Sequence, residues 1–160
     1  MVRGYNVMQG YHDDPEASAR AVDQQGWLRT GDLACMDSAG YIRVTGRIKD
    51  IIIRGGENIS PKEVEDFLRT HPDLLDVSGF GVPHRRLGET VAAALRIRPG
   101  RPAPDLQELQ DFCLGQLAHF KIPQFVEVVE EFPLTPSGKI QKFRLREAWI
   151  ERHGGLETIS

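Results

Sequence analysis

The chain has 160 residues, 40% hydrophobic and 27% charged, with a formal net charge of -3 and a pI near 6.0. That composition suits a domain with one core, or one core plus an appendage, and excludes a low-complexity chain. Mild acidity gives no overall attraction to nucleic acid or an anionic membrane, and without a long apolar run no membrane span or secretory leader is expected, so the sequence reads as cytoplasmic.

Residues 1–46 read as irregular and β-rich. Asp14-Pro15-Glu16 opens a short helix with Pro15 at its first position, where the missing N–H has no helical partner to lose. Asp37-Ser38-Ala39-Gly40 is a turn signal, and Tyr41-Ile42-Arg43-Val44 alternates as a strand.

From Thr45 to Pro61 three backbone regimes follow one another. Gly46 loosens a connector, Lys49-Asp50 seek solvent, Ile51 to Ile53 read as a buried strand, and Gly55-Gly56 let the main chain turn tightly or lie flat against a ligand. Such a span can act as a hinge. Ser60-Pro61-Lys62-Glu63 has the form of a capping box and predicts a helix to about Thr70, with Val64, Phe67 and Leu68 on one face.

Strands are expected at 76–83 and 89–98, with Gly79 and Gly81 thinning the first. A second cap, Asp105-Leu106-Gln107-Glu108, leads into a helix whose Leu106, Leu109, Phe112, Cys113 and Leu117 share a face. Lys121-Ile122-Pro123 breaks that pattern. A third strand is expected at 125–129, an exposed loop at 132–138 and a closing helix at 143–152. The fold class is α+β: a roughly three-stranded sheet with packed helices.

Cys35 and Cys113 lack metal or redox spacing, and His71, His84 and His119 lack ligand spacing, so neither a disulfide nor a metal site is expected. Lys139, Lys142, Arg144, Arg146 and Arg152 make the C-terminal part basic. For the three arginines a solvated helix face is the favoured reading over an anion-facing patch. Lys139 stands out because Thr-Pro-Ser-Gly gives it a small, pliable neck, from which an ammonium can reach into another domain's cleft.

Three motifs stand in order along the chain: Thr30-Gly31-Asp32, the run from Gly46-Arg47-Ile48-Lys49-Asp50 to Glu63, and Pro133-Leu134-Thr135-Pro136-Ser137-Gly138-Lys139-Ile140. Together they resemble the adenylate-forming superfamily of acyl-CoA synthetases, luciferases and peptide-synthetase adenylation domains, from about Arg3 to Trp149. The segments His119 to Pro123 and Gly138 to Glu147 are most similar to medium-chain fatty acyl-CoA synthetases. The resemblance implies that residues 1–46 are the end of a large N-terminal adenylating domain, 47–50 a hinge and 51–160 a small C-terminal lid domain. It also implies a fragment inactive by itself, whose phosphate loop and acyl pocket lie in a missing N-terminal domain. The apolar residues of 1–46 would then be less well ordered or covered by a neighbouring chain, and a homo-oligomer is compatible with this.

The implied chemistry joins a fatty acid to ATP, giving acyl-AMP and pyrophosphate, and then passes the acyl group to CoA with release of AMP. Lys139 would be catalytic, meeting charge that builds on the α-phosphate; a cation about 4 Å away is worth roughly 4 kcal/mol at an effective dielectric near 20. Asp32 would hold the ribose hydroxyls, with a self-capping turn aspartate as the alternative. Arg47 would lie near ribose and phosphates, or make a surface ion pair. Lys49 would be the pivot. Gly55, Gly56 and Glu57 would face the pantetheine tunnel. Phe120 would stack on the CoA adenine while Lys121 meets phosphate, unless Phe120 only ends the helix's apolar face. Mg²⁺ would travel with ATP and bind mostly in the missing domain. Alternative functions are a ligase for aryl or other carboxylates, an enzyme loading a carrier protein, and a non-catalytic module that binds CoA or a partner.

Overall fold

The computed structural model describes residues 1–154 and divides the chain into two compact units, Met1–Val44 and Thr45–Ser160. The last six positions of the expected 51–160 domain lie outside the described residues.

In the first unit, α1 (Pro15–Ala21) is capped by Asp14, whose side chain accepts from the Ala17 N–H at 2.8 Å. A two-stranded sheet pairs β1 (Asp32–Met36) with β2 (Ile42–Arg47), the latter running on into the second unit. Asp37 shapes their turn by accepting from the N–H groups of Ala39 and Tyr41, both at 2.9 Å. Met36, Tyr41 and Ile42 of this hairpin are exposed.

The second unit is organised by a five-stranded sheet. Its spine is a long antiparallel pair, β5 (Leu74–His84) and β6 (Gly88–Ile97), and β7 (Phe125–Val128) runs parallel to β6. These are the three expected strands. A hairpin of β3 (Ile52–Arg54) and β4 (Glu57–Ile59) extends the sheet, joining β6 where Arg54 pairs with Gly88. Its two-residue loop, Gly55-Gly56, has φ of +58° and +91°, the backbone of a type I′ turn that side chains disfavour. The connector before it is a 3-10 turn, Ile48–Asp50.

Alternate residues of β6 feed two cores. Val91, Ala93 and Leu95 pack with Val64 and Leu68 of α2 (Pro61–Leu68) and Leu109 and Cys113 of α3 (Leu106–Cys113). On the opposite face, Ala92 and Ala94 pack with Phe80, Val82, Phe132 and with Leu145 and Trp149 of α4 (Lys142–His153). Helices thus cover both faces, which is why Val91 to Leu95 is a continuous apolar run.

Two local expectations are corrected. The box at Asp105 and Glu108 forms, with both reciprocal bonds at 2.9 Å, but the one at Ser60 and Glu63 does not. The Ser60 hydroxyl donates instead to the Thr45 carbonyl at 2.7 Å, and Glu63 pairs with Lys121 at 2.6 Å. Gly46 is not a loosening element either. It is buried, outside the left-handed region, and a Cβ there would stand 2.5 Å from the Ser60 hydroxyl oxygen, so glycine is required by close approach.

Candidate functional site

Lys139 stands at the end of a tight hairpin. Thr135 N donates to Lys139 O at 2.8 Å, Gly138 N to Thr135 O at 2.9 Å, Lys139 N to Thr135 Oγ1 at 3.0 Å and Gln141 N to Pro133 O at 2.8 Å. Gly138 takes φ +78°, completing a three-residue loop in which Pro136 supplies the preset φ of a type I turn. The neck expected to be pliable is therefore a closed turn, and freedom is left to the Lys139 side chain. Lys139 is exposed, and its ammonium makes no hydrogen bond or ion pair among the described residues.

Three residues on, the chain is fastened. Lys142 Nζ donates to Glu65 Oε1 at 2.5 Å and to the Gly79 carbonyl at 3.0 Å, and the same Glu65 oxygen accepts from Gly79 N at 2.8 Å. Glu65 is only 7% exposed, so its charge depends on its cations, Lys142 on one oxygen and Arg69 at 3.7 Å from the other. One turn along α4, Arg146 pairs with Glu89, whose second oxygen accepts from Ile53 N at 3.0 Å. Sequence reasoning named Lys142 and Arg146 only as part of a basic stretch and missed Glu65 and Glu89. A signal for Glu65 existed: it lies four residues after Pro61 and three before Leu68, on the buried stripe of α2. Arg146, read as solvated, is half-buried in an ion pair, and Arg152 pairs with Glu127 at 2.9 Å.

Lys49 and Asp50 line a shallow cleft of about 180 Å³ together with Gly81, Glu89, Lys142 and Arg146. Gly55 and Gly56 form the exposed tip of the β3–β4 hairpin, held by Gly55 N donating to Leu87 O at 2.8 Å, and Glu57 begins β4. Phe120 packs against the first core while Lys121 lies on Glu63 and 5.7 Å from the Phe120 ring centroid. Arg47 ends β2 and is exposed. Asp32 belongs to the first unit, where its N–H donates to Thr30 Oγ1 at 3.2 Å. Among the described residues, no group of three His, Cys, Asp or Glu could hold a metal ion, and no helix is long and apolar enough to cross a membrane.

Residues 63–139 match the AMP-binding enzyme C-terminal domain, and that match contains the β5–β6 pair and the Phe120-Lys121 turn and ends at Lys139. The chain carries an AMP-binding enzyme C-terminal domain. It is 51% identical over 150 residues to the Bacillus subtilis protein named "Putative acyl-CoA synthetase YngI", covering 93% of this chain and 27% of that one. To the human medium-chain acyl-CoA ligase ACSF2, mitochondrial, it is 49% identical, covering 97% and 25%. Among solved adenylate-forming structures, ATP-bound MatB from Rhodopseudomonas palustris superposes with a TM-score of 0.84 at 37% identity, covering 92% of this chain and 29% of that one. The o-succinylbenzoate CoA synthetase of Bacillus subtilis, with its acyl-adenylate, gives 0.82 at 36% identity, with 90% and 29% covered. The chain thus spans about a quarter of the length of its curated adenylate-forming relatives.

Proposed function

We propose that this chain is the C-terminal portion of an ATP-dependent fatty acyl-CoA synthetase acting on medium-chain substrates, and that Lys139 is its catalytic residue for adenylation. The observation that carries the reading is the Lys139 hairpin: a closed turn presenting one ammonium that makes no bond within its own chain's described residues. With the backbone already fixed by the turn, only the Lys139 side chain has to settle when charge develops on the phosphoryl oxygens, which limits the rearrangement that electrostatic stabilisation costs.

In this reading residues 1–46 complete the large adenylating domain, 47–50 are the hinge and the sheet domain is the lid. Asp32 holds the ribose and Arg47 lies near the phosphates. After acyl-AMP forms, rotation about Lys49 withdraws Lys139 and brings the Gly55-Gly56 turn and Glu57 to the pantetheine arm of CoA. Lys121 exchanges Glu63 for a CoA phosphate beside Phe120. ATP, the fatty acid and CoA are substrates, and Mg²⁺ enters with ATP.

The test is Lys139→Ala in the full-length enzyme. Adenylation, followed as pyrophosphate exchange, falls about a hundredfold or more, whereas thioester formation from supplied acyl-AMP is kept. Equal loss in both half-reactions refutes the assignment. Similarity to the o-succinylbenzoate enzyme favours a second reading, an aromatic acid as substrate; a panel of C6 to C18 fatty acids against benzoates, with CoA or a carrier protein as acceptor, decides between them.

A further inference from the structure

We propose that Lys142 is a positioning residue for Lys139, acting through Glu65 and the Gly79 carbonyl; this deepens the reading of Lys139 given above. The Lys139 hairpin has two feet. Phe132, 8% exposed, is sunk in the second core just before it. Lys142 is the other foot, the first residue of α4 and only three residues beyond Lys139.

That second foot crosses the sheet. By pairing register, Gly79 lies opposite Ala93 and Gly81 opposite Val91, so both glycines belong to the face packed against α2. Helix α4 packs its Leu145 and Trp149 on the other face. Lys142 and Arg146 therefore reach past β5, which ends the strand order, to carboxylates Glu65 and Glu89 on the α2 side. Side chains at Gly79 and Gly81 would fill this passage: a Cβ at Gly81 would stand 3.1 Å from a Glu89 carboxylate oxygen, and one at Gly79 3.4 Å from Pro61. The bare glycines let two cations fasten the start of α4 to the far side of the edge strand.

The N-cap Gln141 makes no capping bond, so among the described residues Lys142 is the polar side-chain anchor nearest the hairpin, with Arg146 one turn further on. With Lys142 released, the hairpin keeps the apolar packing of Phe132 and Ile140 and its own backbone bonds, but the nearest polar fastening moves one turn along α4 to Arg146, and the Lys139 end of the turn tilts. Misplacing a reacting group by about 1 Å can cost on the order of a hundredfold in rate.

The experiment uses the full-length enzyme. Lys142→Met leaves the buried Glu65 carboxylate with only Arg69, 3.7 Å from its other oxygen, and lowers the thermal midpoint, so the informative variant is Glu65→Gln with Lys142→Met, which removes both charges. For this pair the thermal midpoint recovers, adenylation kcat stays at least about tenfold down with KM for ATP unchanged, and thioester formation from supplied acyl-AMP is unaffected. Lys142→Arg, which keeps both donations, restores adenylation. Recovery of adenylation in the neutral pair, or parallel loss in both half-reactions, overturns the proposal. Lys139→Ala separates the two levels: if it abolishes adenylation while the neutral pair is fully active, only the positioning role falls. If Lys139→Ala is itself active, both fall.

Discussion

Gly46→Ala tests the close approach at the connector. An added Cβ would meet the Ser60 hydroxyl oxygen at 2.5 Å but the Ser60 Cβ at 3.5 Å, so the clash lies entirely with the hydroxyl. To accept the methyl, Ser60 must rotate and give up its 2.7 Å bond to the Thr45 carbonyl. Overpacking costs about 1–3 kcal/mol and the lost bond about 1 kcal/mol. Removing glycine freedom from the unfolded chain offsets about 0.4–1 kcal/mol. The net destabilisation is roughly 2 kcal/mol, which for a unit of this size is a fall of about 8 °C in the thermal midpoint. Adding Ser60→Ala removes the obstructing atom, leaving Cβ against Cβ at an ordinary distance. The double variant should therefore be more stable than Gly46→Ala alone and close to Ser60→Ala, a coupling of about 1–2 kcal/mol in denaturant unfolding. Additive losses in the four-way cycle would show that the contact does not govern this position.

Lys49→Pro in the full-length enzyme should spare adenylation and slow the CoA step, because proline restricts the backbone angle that domain rotation has to change; unchanged single-turnover rates for the CoA step would remove Lys49 as the pivot. Cys113 is wholly buried, and burial pushes its thiol up to about 11 from 9.0. The folded chain keeps this proton where the unfolded chain loses it, so the stabilisation is present below pH 9 and lost as pH climbs toward 11, at up to about 1.4 kcal/mol per pH unit. Urea midpoints between about pH 8 and 10.5 should fall more steeply in the wild type than in Cys113→Ala, which lacks the group. A thiol reagent should find the exposed Cys35 at once and Cys113 only on unfolding.

What was legible in the sequence was whatever neighbouring residues decide. The β-branched and alanine run Val91 to Leu95 and the Asp105–Glu108 box each carry their structure within a few residues, and each forms. The Ser60 box failed because the hydroxyl is turned toward a carbonyl fifteen residues earlier, away from the Glu63 N–H that its oxygen would have to accept from, and the Glu63 carboxylate is drawn to Lys121. Lys142 with Glu65 and Arg146 with Glu89 lie 77 and 57 residues apart; no local pattern pairs them, since their meeting depends on which face α4 covers and on two bare positions in β5. For the candidate site the balance was similar. The motif bearing Lys139 could be read directly, while the rigidity of its turn and the occupation of Lys121 by Glu63 required coordinates.

The same reach of side chains over β5 has a further consequence. An unpaired rim of backbone amides and carbonyls is a template on which another chain can add a strand. Here Arg69 takes the Val77 carbonyl at 3.0 Å, Glu65 the Gly79 amide and Lys142 the Gly79 carbonyl. Three charged groups thus stopper the midsection of the outer rim, and this border can face solvent without seeding cross-chain assembly.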